Sequence, residues 1–247
     1  MTDGGGALRE AIDPVVRLEG EGYGFGPSDS VMQDLSFCIL PGEFVAVVGP
    51  SGCGKTSLLN LLAGDMAPME GRVEIQGRAR RVFQQDGLFP WRTVSENIAL
   101  GLRLNIAAGE RARQIGEMLA LIGLEAFADH YPHQLSGGMR QRVELARALS
   151  GESDILLMDE PFSALDYLTR LRLRGELARL LAEKPRTVVL VTHDIEEAAQ
   201  LADRIVVLSE RPARVCSDLL ISLPRPRAVT DPAIVEAVRL VLTEMGL

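Results

Sequence analysis

The chain has 247 residues, 47% of them hydrophobic and 24% charged, enough to bury the core of one large domain or two small ones. A formal charge of -8 weighs against a nucleic-acid grip, which needs a surplus of Lys and Arg for the phosphate backbone; no strictly apolar run exceeds five residues, where a membrane helix needs roughly 20. The three cysteines, Cys38, Cys53 and Cys216, are an odd number without metal-type spacing and fit a reducing cytoplasm better than a disulfide framework.

Residues 1–14 are Gly-rich, lack the apolar centre of a signal peptide and are expected to form a flexible tail. From 15 to 48 the stretches VVRLE, LSFCI and FVAVV are separated by Gly, Pro and Asp, which predicts a β-rich start. A helix is predicted over 55–63 and short strands near 71–75 and 81–83. The stretch 95–150 carries many Ala, Leu, Glu and Arg and few β-branched clusters, so it reads as a helical insert. Beyond it ILLM, a Leu-rich helix over 168–183, TVVLV, a helix over 195–202 and RIVVL restore a βα rhythm. Apolar runs of four or five alternating with helices predict a buried parallel sheet. Ile234, Val238, Val241, Leu242 and Met245 fall at helical spacing and predict a closing helix over 231–246. The fold class is therefore α/β, one domain over 15–247, with core segments 15–84 and 151–222 and a helical subdomain at 85–150.

Two strings sit where this alternation gives them chemistry. GPSGCGKT at 49–56 follows FVAVV and opens a helix. Gly49, Gly52 and Gly54 let the backbone curl close to phosphate oxygens and turn N–H groups inward at a helix N-terminus. Pro50, Ser51, Cys53 and Ser57 complete the predicted cradle; Lys55 supplies a cation for the β and γ phosphates and Thr56 a hydroxyl for Mg2+. Cys53 reads first as a small residue that fits the loop, although a helix N-terminus can lower a thiol pKa and make it open to alkylation. The second string is DEP at 159–161, ending ILLM. Asp159 and Glu160 emerge at the carboxyl edge of the sheet, where open α/β folds bind ligands. Asp159 suits the metal and Glu160 an attacking water. Strand-end acids are usually just solvated; the phosphate loop upstream reverses that preference.

LSGGMRQR at 135–142 separates families of P-loop protein. With GPSGCGKT, ILLMDEP and THD at 192–194, it makes the chain resemble the nucleotide-binding subunit of ABC transporters, from about Val15 to the C-terminal region. The resemblance implies a P-loop NTPase fold: a RecA-like parallel-sheet core, an N-terminal antiparallel β subdomain and an inserted α-helical subdomain. It implies ATP and Mg2+ as cofactors, ATP hydrolysis as the activity, and a head-to-tail dimer with a second copy. There Ser136, Gly137 and Gly138 of one subunit close over the γ-phosphate held by the other, and Asp166 in FSALD communicates across the pair. Gln84, in VFQQD, matches a glutamine that reaches toward metal and water, and His193 matches a switch histidine at the γ-phosphate. For the adenine platform, Phe25 falls where the family carries an aromatic, with Tyr23 as the other candidate; either ring can stack on a base.

Such a subunit borrows its membrane passage from separate permease subunits, which places it peripherally at the cytoplasmic face of the inner membrane, with a periplasmic or lipoprotein solute-binding protein as an indirect partner and no nucleic acid. Leu88, Phe89 and Trp91 in DGLFPWRTVSENIALGL offer a docking surface for the permease; a buried position in the helical insert is the equal alternative. QQDGLFPWRTVSENIALGL, LSERPARV and LPRPR resemble the nitrate, sulfonate and taurine importer branch, and no added regulatory domain is expected after Leu247. Exporter or lipid-moving ATPases share the motifs and stay open. Chromosome-maintenance ATPases separate the motifs by long coiled coils, whereas 79 residues lie between Thr56 and Ser136 here. A P-loop kinase or GTPase would share the phosphate loop alone.

Overall fold

The structure, a computed structural model, describes residues 12–26, 29–82 and 87–246. At its centre lie β3 (Phe44–Val48), β6 (Ile155–Asp159), β7 (Thr187–Val191) and β8 (Arg204–Leu208), whose residues are all buried. Five-residue apolar runs suit this place because both faces of each strand are covered. The sheet runs β5-β6-β7-β3-β8-β9, with β5 at Ala79–Val82 and β9 at Val215–Leu220. Its first five strands are parallel, and β9 pairs antiparallel with β8.

Alternate residues of each central strand enter different cores. Phe44, Ala46, Val48, Leu156, Met158, Val188 and Leu190 face a core shared with the helical region. Val45, Val47, Ile155, Leu157, Val189 and Val191 face another, closed by α1 (Lys55–Ala63) and a three-stranded antiparallel sheet. That second sheet runs β2-β1-β4, from β1 (Val16–Gly26), β2 (Asp29–Ile39) and β4 (Glu70–Ile75). The core thus sits as two layers on either side of one buried sheet.

The stretch read as one helical insert is three helices, α2 (Val94–Ala99), α3 (Ala108–Ile122) and α4 (Gly137–Ser150), with short 3-10 turns at Glu125–Phe127 and Pro132–Gln134. Three of the boundaries have a local cause. Thr93 and Glu96 form a reciprocal capping box at the start of α2, Gly123 ends α3 at φ 64, and the Ser136 side chain caps α4 by accepting from Met139 N–H. Three further helices follow the expected rhythm: α5 (Tyr167–Glu183), α6 (Ile195–Leu201) and α7 (Pro232–Glu244). β9 has no counterpart in the sequence reading. It is an edge strand whose residues alternate between half-buried and exposed, so it lacks the apolar run that marks the other strands. No described helix is long and apolar enough to cross a membrane.

Parallel pairing brings the functional strings together. β7 lies between β6 and β3, in register Asp159↔Val191 and Val47↔Val191. The segments after these strands, 49–56, 159–161 and 192–194, therefore leave the sheet at the same carboxyl edge.

Candidate nucleotide site

The loop after β3 closes around a cavity of about 200 Å3 lined by Ser51, Gly52, Lys55, Thr56, Glu160 and Arg211, among others. Its curl depends on Gly54, at φ 118, where a Cβ would lie 2.7 Å from Val31 Cγ1. No L side chain fits both that conformation and that gap. Lys55 is buried, and its Nζ donates to the carbonyls of Gly49 and Pro50, each at 2.8 Å. The ammonium is thus held against its own loop beside the cavity. Cys53 corrects one expectation: it is 1% exposed, and burial pushes its thiol pKa up despite the nearby Lys55. Desolvation outweighs the helix end, and the residue serves as small packing rather than as a nucleophile.

Next to Thr56, buried Asp159 is held from two sides. Thr56 Oγ1 donates to Asp159 Oδ1 at 3.3 Å, and Arg81 Nη2 pairs with Asp159 Oδ2 at 3.0 Å. Arg81 also bonds Asn60 near the end of α1 and approaches Asp65 at 3.6 Å. No local pattern marks this arginine, which reads in sequence as one more polar residue in a short strand. Glu160 has a left-handed backbone, φ 46, a conformation that costs a non-glycine residue energy and persists where surroundings over-determine it. Its N–H donates to Val191 O at 2.9 Å, and its Oε1 lies 2.8 Å from His193 Nδ1.

His193 stands on a buried charged network. Asp194 caps α6 by accepting from Glu197 N–H, while Arg170 and Arg174 of α5 pair with its carboxylate. Burial alone would raise the Asp194 pKa; the Glu197 N–H and the Arg174 charge outweigh it and hold the carboxyl below its usual range. Arg174 also meets Glu197 at 3.3 Å, and Thr192 donates to the same Glu197 oxygen at 3.0 Å. Burial pushes the Glu197 carboxyl up to about 7. The folded chain then holds a proton that the unfolded chain releases at lower pH, so this group's contribution to stability is lost as pH rises toward 7. Urea unfolding of the wild type should show a midpoint that falls between about pH 4.5 and 7, and Glu197→Gln should flatten that fall; an unchanged slope in the variant would assign the dependence elsewhere.

Ser136, Gly137 and Gly138 stand apart from this cavity in the same chain. Gly138 packs against the segment after Glu160, where a Cβ would meet Ala164 O at 3.0 Å. Gln141 of α4 ties the two segments by donating to Glu160 O at 3.1 Å and accepting from Ala164 N–H at 3.0 Å. This buried glutamine, inside LSGGMRQR, has a structural link that the string alone did not reveal. Asp166 caps α5, and hydrogen bonds from Thr169 hold its exposed carboxyl below the usual range. Gln84 lies outside the described residues. The Phe25 backbone belongs to β1, while its side chain lies outside the description. Tyr23 packs partly against the core and lines a separate cavity of about 420 Å3 with Gly24, Met32, Gln33 and Glu70.

A phosphate-type loop at a helix N-terminus, with one strand-end acid, Glu160, lining the same cavity and the other, Asp159, bonded to Thr56, defines a P-loop nucleotide-binding fold. Residues 32–163 match the model of the ABC transporter family. The chain is 42% identical over 226 residues to the aliphatic sulfonates import ATP-binding protein of Bacillus licheniformis, covering 88% of each chain. It is 44% identical over 215 residues to the taurine import ATP-binding protein of Pseudomonas aeruginosa, covering 83% of this chain and 82% of the relative. Among solved structures it resembles a dimeric ATP-binding cassette in a post-hydrolysis state bound to ADP and Pi, at TM-score 0.72 and 34% identity, over 83% of this chain and 98% of that one. The chain belongs to the ABC transporter family.

Proposed function

We propose that the chain is the ATP-hydrolysing subunit of an importer for small anions of the sulfonate and taurine kind, working as a pair of copies on a separate permease. The observation that carries the catalytic part is the 2.8 Å contact of Glu160 Oε1 with His193 Nδ1 beside the phosphate cavity. Glu160 orients a water toward the γ-phosphorus and accepts its proton; the new P–O bond forms as the bond to the β–γ bridging oxygen breaks, giving ADP and phosphate. His193 keeps the carboxylate in place and, in this reading, also contacts the γ-phosphate. Lys55 and the loop N–H groups neutralise the phosphate chain.

Thr56 Oγ1 and Asp159 Oδ1 are hard oxygen donors 3.3 Å apart, a set suited to Mg2+, which keeps waters and phosphates as its other ligands. Bound there, the ion would supply Lewis-acid stabilisation of the phosphate oxygens. Arg81, by engaging Asp159 Oδ2, leaves the Thr56-facing oxygen for that task. Ser136, Gly137 and Gly138 act on the nucleotide of the second copy in this reading, and Phe25 or Tyr23 stacks on adenine. Gln84 connects the site with the permease.

The permease side is supported by an exposed aromatic patch. Leu88 is buried, whereas Phe89 is 41% and Trp91 70% exposed, with ring centroids 5.5 Å apart in a T-shaped pair. The loop bearing them is clamped by fully buried Asn97, which accepts from Phe89 N–H and donates to Phe89, Arg92 and Thr93 carbonyls. Beside it a groove of about 330 Å3 runs between Phe89, Leu100, Arg80 and Arg147, a rigid site for a short permease helix. Docking there would hold the chain peripherally at the cytoplasmic face of the inner membrane, with a solute-binding protein outside. Relatives named for import favour this direction over an exporter or a lipid-moving system. Tagged chain drawn from its native membranes in mild detergent should bring a very hydrophobic permease in comparable amount, with ATPase stimulated by sulfonate or taurine; recovery with soluble partners alone would overturn the transport reading.

A further inference from the structure

The segment LSERPARV, residues 208–215, is far in sequence from the phosphate loop at 49–56, yet it reaches that loop. Ala213 is fully buried and stitched to β2 from both sides: its N–H donates to Val31 O at 2.9 Å, and its carbonyl accepts from Gln33 N–H at 3.0 Å. Ser209 and Arg214 close the turn, with Ser209 N–H on Arg214 O at 3.0 Å and Arg214 N–H on Ser209 Oγ at 3.0 Å. Arg214 Nη2 adds a bond to Gln33 Oε1 at 2.9 Å. Between these anchors Arg211 extends over the phosphate loop, and its Nε donates to Gly52 O at 2.6 Å. Val31, which holds one anchor, is also the residue against which Gly54 packs.

Arg211 lines the same cavity as Ser51, Gly52, Lys55, Thr56 and Glu160. Among the described residues it forms no ion pair, in contrast to Arg81, Arg170, Arg174 and Arg204, each of which meets a carboxylate. One N–H is committed to Gly52; a guanidinium has five donors, which leaves the others for a ligand. A cation fixed by a backbone bond at the rim of a phosphate cavity, with no ion-pair partner among the described residues, suits a phosphate oxygen.

We propose that Arg211 is a second phosphate-binding cation of the nucleotide site, complementing Lys55 on the β and γ phosphates. The inference deepens the ATP-binding reading and rests on it. Lys55 is held to the carbonyls of residues 49 and 50 and Arg211 to that of residue 52, so both cations grip the first half of the loop. That shared attachment assigns Arg211 to the phosphates Lys55 serves rather than to the α-phosphate at the helix start.

The test is calorimetric titration of the full chain with ATP, ADP and AMP, without divalent metal, for the wild type, Arg211→Met and Arg211→Lys. Arg211→Met should weaken ATP and ADP by about tenfold, the scale of one partly exposed charge-assisted bond, and AMP by much less. Arg211→Lys should recover most of that loss, because the charge remains, and the salt dependence of ATP binding should be shallower in Arg211→Met than in either of the others. ATP affinity in Arg211→Met within twofold of wild type would overturn the assignment. So would an equal loss for all three nucleotides without recovery in Arg211→Lys, since that pattern reports a disturbed loop rather than a lost phosphate contact. A wild-type protein that bound no ATP would instead sink the nucleotide reading itself, and the role of Arg211 with it.

Discussion

Glu160→Gln is expected to keep ATP and stop hydrolysing it. The amide has nearly the shape of the carboxylate, so the left-handed backbone at φ 46, the bond from Glu160 N–H to Val191 O and the tie from Gln141 to Glu160 O all survive the exchange. What disappears is a group able to take a proton from water. Loss of a positioned general base costs about 10²- to 10⁴-fold in rate, while the cation and N–H groups that bind phosphate are untouched. A nucleotide that cannot be cleaved keeps two copies together, so size-exclusion chromatography with ATP should show a dimer in the variant and a mixture or monomer in the turning-over wild type. Turnover within about threefold of wild type would remove Glu160 from its role, for the base effect is far larger. Loss of ATP binding would instead show that the carboxylate supports the loop structurally.

The strings of the candidate nucleotide site were legible because their chemistry is local: a curl of glycines with a cation, or two acids at a strand end, needs neighbours in sequence. The central strands were legible for a related reason, since a strand covered on both faces has no polar position to interrupt it, as in the fully buried Phe44–Val48. The buried parallel sheet and the helical insert follow from those signals, whereas the antiparallel pairing of the β-rich N-terminal part was implied only by the family resemblance. β9 escaped because an edge strand with alternating exposure, VCSDLL, resembles a loop with scattered apolar residues. Long-range ties escaped for a different reason. Arg81 and Asp159 are 78 positions apart, and Arg211 lies 159 from Gly52; nothing in either local pattern says that an arginine will find that partner. The buried Arg174, Asp194 and Glu197 network has the same character, since Asp194 stands out only as the end of THD and nothing local ties it to an arginine 20 positions earlier. Single-chain geometry also explains why Ser136 looked remote from its proposed ligand: in its own chain it caps α4 and lies outside the phosphate cavity.

A serine so placed can act on nucleotide only if another copy brings its own phosphate loop to it. Lys55→Ala removes the buried cation from one class of subunit, and Ser136→Ala removes the hydroxyl from the other; each alone should be close to inactive as a homodimer. Mixed, they form heterodimers in which one site has Lys55 from the Ser136→Ala chain and Ser136 from the Lys55→Ala chain, while the other site lacks both. Random pairing at equal amounts leaves about a quarter of all sites intact in a two-fold dimer, so ATPase should rise toward that fraction from the near-zero value of either variant. The Ser136→Ala chain loses an N-cap bond, worth about 1 kcal/mol, which a melting curve of the single variant separates from a catalytic effect. An activity that stays at the level of the separate variants at every mixing ratio would overturn a composite site whose halves fire independently. Recovery could not arise from sites built within one chain, because every chain in the mixture carries a lesion in one of the two strings.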